Sequence, residues 1–354
     1  MKKILSLVLA SAMVLSLAAC GKKDEPSKSG SQSTSGSQSE QTQYTQGQFK
    51  LKLGTVTSGT HSWVQTANWM KEQLAERSNG AIELSVYEGG QLGNDEAEFT
   101  DMGLGTQDMM IGGLTSISSF IPETTAMILP YLYPSRDVYE STLTVGGPVF
   151  NYVQGKFDEY NFGVKLLGMC NSGARYLFSV KQVSGLADLK GMKMRITTNV
   201  TDNDIWSALG TLPTAMGFND IYNAAQSHTV DAFECTLGSY KSSALYEVAP
   251  YMAVTQHQYT PSHISISTMT WDKLPADIQD ILAQVCEEAG EYCNKITDEA
   301  EDSLIETLAA ENGVTVTEVD KSEFQTAIEP VYSKILETCK GQDLYEILKQ
   351  EINK

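Results

Sequence analysis

Pro275–Ala310 reads PADIQDILAQVCEEAGEYCNKITDEAEDSLIETLAA. Within it Ile278, Ile281, Leu282, Val285, Ala289, Tyr292, Cys293, Ile296, Ala300, Leu304 and Leu308 recur every three to four residues, the mark of a helix with one apolar face. After Pro275 only Gly290 interrupts the pattern, and Asn312-Gly313 supplies a stop. Thirty-odd residues make a helix ~50 Å long. That is longer than a single lobe of ~130 residues is wide. The apolar stripe is too irregular for a coiled coil, whose seam keeps a strict heptad. The segment therefore predicts one helix that spans two lobes.

Upstream, the chain alternates strands and helices. Phe49, Leu51 and Leu53 alternate with polar residues up to Gly54, which predicts a strand. Trp63, Ala67, Met70 and Leu74 give residues 62–78 a helical period, and Asn79-Gly80 ends it. Ile82, Leu84 and Val86 form a second strand before the turn at Glu88-Gly89-Gly90. A helix over 95–104 and a short buried strand over 108–111 follow, and the alternation runs on to about Asp231. This order predicts a two-lobed α/β fold with a mainly parallel sheet, whose ligands sit at the carboxyl ends of strands. Shorter helices around 324–339 and 343–352 finish the chain.

The other end carries an address. Lys2 and Lys3 precede an apolar run from Ile4 to Leu17, too short to span a bilayer as an ordinary helix and right for a signal peptide. Leu17-Ala18-Ala19-Cys20-Gly21 resembles the bacterial lipoprotein signal, which implies cleavage after residue 19, a lipid on Cys20 and an extracytoplasmic location at the membrane face. Residues 20–48 are Ser, Gln, Thr, Gly and Lys with almost nothing apolar, as in a flexible linker with a reach of ~30 Å. The remaining 306 or so residues suffice for two lobes.

The formal net charge is −19, and −21 once Lys2 and Lys3 are removed, which argues against nucleic acid as a partner. Besides Cys20 there are five cysteines, Cys170, Cys235, Cys286, Cys293 and Cys339, with no CxxC. An odd number at these spacings reads as buried small hydrophobes, not as a metal site or disulfide framework. No GxSxG, P-loop, HExxH or GxGxxG motif is present, so neither an enzyme nor a cofactor is expected. The one nucleophile–base pairing the sequence offers is Cys235 with His257 or His228.

Several strings, in order, resemble one family. Gly90-Gln91-Leu92-Gly93-Asn94-Asp95 is similar to the "GQLGDD" element of the solute receptors of tripartite ATP-independent periplasmic (TRAP) transporters, the DctP-like family. Gly173-Ala174-Arg175, then Asp188-Leu189-Lys190-Gly191-Met192-Lys193-Met194-Arg195 for "DLKGLKIR", continue the likeness. Leu209–Phe218, Ile221–Gln226 and Val230-Asp231-Ala232-Phe233-Glu234 for "VDGxE" follow, with His257 in a "TxH" segment and Trp271–Pro275 opening the long helix. The likeness spans nearly all of 49–339. It implies two lobes that close on a small organic acid and pass it to an ion-gradient-driven TRAP permease, the receptor being a monomer. The lobes would be 49–172 with 261–300, and 173–260 with 301–354, hinged near Ser172 and Thr260.

The resemblance also implies site residues. Arg195 falls on the arginine that pairs with the ligand carboxylate, a role suited to a planar fork of N–H donors. Arg175 falls on a second arginine that often helps. Where the family carries an asparagine, this chain has Cys235, a weak donor. Gly113 lies where some acid-sugar receptors carry a glutamate. Both departures point to a modest organic acid rather than a polyhydroxylated acid sugar. Phe218 is a ligand wall or core, His61 a ligand contact or a satisfied loop residue, and Asp95 a contact to ligand hydroxyls or a helix cap. A receptor of an ABC transporter is disfavoured by the "DLKGMKMR" segment and the spanning helix. A ligand-binding input to a membrane sensor would look the same in sequence.

Overall fold

In the computed structural model, residues 44–199 and 201–354 are described. The expected signal peptide, Cys20 and linker residues 20–43 lie outside the described residues.

Among the described residues nine strands form one sheet: β1 (Phe49–Gly54), β2 (Ile82–Tyr87), β3 (Met109–Gly113), β4 (Val164–Ser179), β5 (Lys193–Ile196), β6 (Leu212–Ala215), β7 (Ala232–Thr236), β8 (Tyr251–Ser267) and β9 (Thr315–Thr317). Their order is β2-β1-β3-β8-β4-β7-β5-β6, with β9 on β8. The outer triplets are parallel. The centre is not: β3–β8, β8–β4 and β4–β7 are antiparallel. The sheet is thus mixed, a correction to the mainly parallel one expected. Apolar alternation reveals a strand, whereas its direction is set by which neighbour it finds.

Besides a large core shared by both triplets, with Met110 of β3 and Met194 and Ile196 of β5, two further apolar cores form. Leu51, Leu53, Met109 and Ile111 pack with Ala67, Met70 and Leu74 of α1 (Ser62–Arg77), the positions that carry the helical period. Tyr176, Phe178, Phe233 and Tyr240 anchor the other core. The long helix, Ala276–Asn312, serves both. Its first turns put Ile278, Leu282, Val285 and Ala289 into the first core, and its last put Leu304 and Leu308 into the second. Close approach needs small residues: a Cβ on Gly290 would lie 2.5 Å from the Met169 carbonyl oxygen.

β4 and β8 are 16 and 17 residues long and run through both halves. Their register breaks between Asn171 and Ala174, where Gly173 takes φ +95°. There the backbone N–H of Ala174 donates to Glu301 Oε1 of the long helix at 2.7 Å. The last helix, Gln342–Ile352, packs on segments 122–128 and 148–160. Those belong to the first expected lobe, although the sequence reading gives 301–354 wholly to the second. An amphipathic helix needs an apolar partner, and its spacing does not say which lobe provides it.

Candidate functional site

Arg195 is the penultimate residue of β5, paired with Thr214 of β6 on one side and Phe233 of β7 on the other. The side chain is buried, and its Nε and Nη2 donate to the Met216 carbonyl oxygen at 3.1 and 2.8 Å. Nη1 has no hydrogen-bond partner. The nearest carboxylate oxygen, Glu234 Oε1, lies 3.9 Å away. A guanidinium carries five N–H donors. Two are spent on a neutral carbonyl, and the end of the fork stays available.

Arg175, from β4, is arranged differently. Its Nε donates to Glu234 Oε2, and its Nη2 to Glu234 Oε1 at 2.7 Å and to the Glu234 carbonyl at 3.1 Å. Burial alone would raise the Glu234 pKa, but the Arg175 charge, the nearby His257 imidazole and the hydrogen bonds from Arg175 outweigh it and hold the carboxyl at about 2. His257 faces the same carboxylate, Nε2 lying 3.8 Å from Oε2, while Nδ1 pairs with the Thr255 hydroxyl at 2.9 Å. Burial lowers the pKa of this imidazole. Asp202 stands nearby, pushed up to about 6 by burial despite the Thr197 hydroxyl and the two arginines.

Arg195 and Arg175 line one cavity of about 40 Å³, together with Asp95, Gly113, Phe218 and Cys235. The first carboxyl group of α2 (Asp95–Leu104) thus faces the guanidinium of Arg195. Asp95 does not cap its helix: Asn94 does, its Oδ1 accepting from the Ala97 N–H at 2.9 Å. Burial drives the Asp95 pKa up to about 7 against the opposing effects of the Ser116 hydroxyl and Arg195. Its Oδ1 is without a hydrogen-bond partner, as is Trp63 Nε1 on the same cavity. Phe218 is half-buried and touches both cores. A Cβ on Gly113 would meet Thr115 Oγ1 at 3.1 Å, so this wall is close-fitting.

Cys235 is buried on β7 opposite Tyr176, and burial raises its thiol pKa. His257 is turned to Thr255 and Glu234, and His228 is exposed. Nothing in this arrangement generates the thiolate that cysteine nucleophiles need.

His61 is not among the residues lining that cavity. It caps α1, its Nδ1 accepting the Trp63 N–H at 3.1 Å, and its Nε2 bonds the Ser239 hydroxyl at 3.1 Å. Sequence reasoning missed Glu234, Thr197, Ser116 and Thr236 at or beside the site. For Glu234 there was a signal. Two arginines expected in one buried site require a carboxylate close by.

A model of the family described as bacterial extracellular solute-binding protein, family 7, matches residues 53–338. A solute-binding protein of Roseobacter denitrificans is 30% identical over 286 residues, covering 79% of this chain and 85% of its own. The sialic acid-binding periplasmic protein SiaP of Vibrio cholerae is 28% identical over 290 residues, 80% of this chain and 87% of its own. Among solved structures, a TRAP periplasmic solute-binding protein from Bradyrhizobium in complex with D-galacturonate superposes with a TM-score of 0.79 at 28% identity, over 86% of this chain and all of its own. The two-lobed fold with its long helix is the fold of these neighbours.

Proposed function

This chain belongs to the bacterial extracellular solute-binding protein family 7, and on that premise we propose that it captures a small organic acid and delivers it to a TRAP permease. The supporting observation is the cavity. It is lined by Arg195, Trp63 and Asp95, whose Nη1, Nε1 and Oδ1 have no hydrogen-bond partner among the described residues. A free guanidinium edge, an indole N–H and a carboxyl are chemistry for a carboxylate and an adjacent hydroxyl or oxo group. Arg195 takes the carboxylate end-on. Arg175 stays bound to Glu234 and sets the shape of the wall. The relatives that bind sialic acid and galacturonate, both acids, agree with this class.

A site of about 40 Å³ is far below the ~300 Å³ and more of ordinary ligand pockets. The lobes, placed as the sequence reading has them, therefore part before the ligand enters. Bending is assigned to β4 and β8 near Ser172 and Thr260, beside the break in register. The Cys20 lipid would keep the receptor at the extracytoplasmic face of the membrane. Native mass spectrometry of the purified protein, followed by thermal shifts with a panel of carboxylates, tests the ligand class. A ligand at one hundred times its Kd should add ~2.7 kcal/mol of stability. No shift with any acid would refute the reading. Replacing Cys20 with alanine should release the protein from membranes or stall its maturation.

A further inference from the structure

The cavity at Arg195 has a larger neighbour. A chamber of about 350 Å³ opens beside it, walled by Thr60, Ser62 and Gln65 on one side and by Gly238 and Lys241 on the other. The long helix forms its floor through Ile296, Ala300 and Leu304. Ser172 lines both spaces. Beside this junction, His61 Nε2 meets the Ser239 hydroxyl at 3.1 Å. Residues on either side of this pair divide accordingly: Thr60, Ser62 and Gly238 face the chamber, while Ser239 faces the anion cavity.

That partition is weak. His61 Nδ1 accepts a backbone N–H, so the proton sits on Nε2 and is donated to Ser239. Burial pushes the imidazole pKa down to about 3, so the bond is between neutral groups. Breaking such a bond changes an equilibrium by about tenfold. Ser239 would not be stranded, because the Thr236 hydroxyl already donates to it at 3.0 Å.

We propose that the two spaces form one elongated site: the ligand's carboxylate sits on Arg195, and a mainly aliphatic tail passes the His61–Ser239 pair into the chamber on the long helix. This deepens the proposed function and rests on it. The chamber's volume lies in the range of small-molecule sites, whereas the anion cavity alone holds little beyond a carboxyl group. Apolar contact comes from Ile296, Ala300 and Leu304, while Thr60, Ser62, Lys241 and Glu301 on the same walls accept polar substituents along the tail.

The test is calorimetric titration of the full chain with straight-chain 2-hydroxy acids of about three to eight carbons. Affinity should climb about fourfold for each methylene that enters the chamber, on the order of a thousandfold across the series if all five enter. Ala300→Trp and Ser303→Trp, two exposed positions on the helix, should each remove that gain and leave the three-carbon acid unchanged. A wild-type series that is flat or falls with length overturns the proposal. So does a rising series that both tryptophan variants preserve, because the tail would then lie elsewhere. If no acid binds, or if Arg195→Ala leaves every affinity unchanged, the carboxylate reading itself has failed and the elongated site falls with it.

Discussion

Arg175 and Arg195 line the same cavity, yet one is closed by the protein and the other is left open. Arg175 spends Nε and Nη2 on a carboxylate that is itself almost fully buried. Arg195 leans on the neutral Met216 carbonyl and keeps Nη1 unpartnered. A buried ion pair already satisfied has little to offer a ligand, while a buried cation hydrogen-bonded only to a carbonyl, with the shared Glu234 carboxylate 3.9 Å from its Nη1, keeps a free edge. Residue type and burial do not distinguish the two arginines. Their partners do, and on that basis Arg175 should act through stability and Arg195 through binding.

The largest effect should come from cutting the closed pair. Glu234→Gln leaves Arg175 buried without its counter-ion and should cost ~3–5 kcal/mol of folding stability, read by urea denaturation of ligand-free protein. Arg195→Ala comes next. It should weaken carboxylate binding by ~2–5 kcal/mol by calorimetry, with a small change in stability because it removes an unsatisfied donor. Arg195→Lys should remain impaired, since an ammonium cannot reproduce the fork. The comparison breaks if Arg175→Ala lowers affinity as much as Arg195→Ala while the fold keeps its stability.

Much of this architecture could be read in the sequence, and the exceptions have physical causes. The long helix, β1, β2 and α1 were legible because burial on one face imposes a period that survives in any context. The antiparallel centre was not, because β4 and β8 are buried throughout most of their length and carry no alternation to mark direction. Arg195 was recognisable from its motif. Its distinction from Arg175 was not, since it depends on Glu234 and Met216, each twenty or more residues from the arginine it meets. The role of His61 as a cap and a bridge depends on Ser239, which is 178 residues away.

A smaller effect follows from Asp95, on the open side of the cavity. Its pKa is raised to about 7 by burial, so the folded state holds the proton more tightly than the unfolded chain does. The stabilising contribution is complete below the unfolded value of ~3.9 and is lost as pH rises through about 7. Glu98 and Glu301, also raised to about 7, add to the same trend. Asp95→Asn should therefore reduce the fall in stability between about pH 4 and 7 by one proton's worth, up to ~1.4 kcal/mol per pH unit, and change little above pH 8. Denaturation at several pH values checks this. An unchanged slope would mean that Asp95 is ionised and paired across that range.

The smallest effect is expected at Cys235, and it sharpens what the open side of the cavity is for. The thiol lines the cavity and also pairs across the ladder with Tyr176, so it is both wall and core. Asparagine there would offer a stronger donor to a carboxylate, worth ~1 kcal/mol where the geometry allows. It would also place an amide against a wall that now asks for no polar partner. Cys235→Asn should accordingly strengthen binding of small generic acids such as acetate and pyruvate, by up to roughly tenfold. For the ligand that co-purifies with the protein, affinity should stay the same or fall. Titrating both kinds of acid against both proteins separates the cases. A large gain for the co-purifying ligand would show that the thiol withholds a contact the ligand wants, and the contrast between a retuned edge at Cys235 and a reserved fork at Arg195 would be lost.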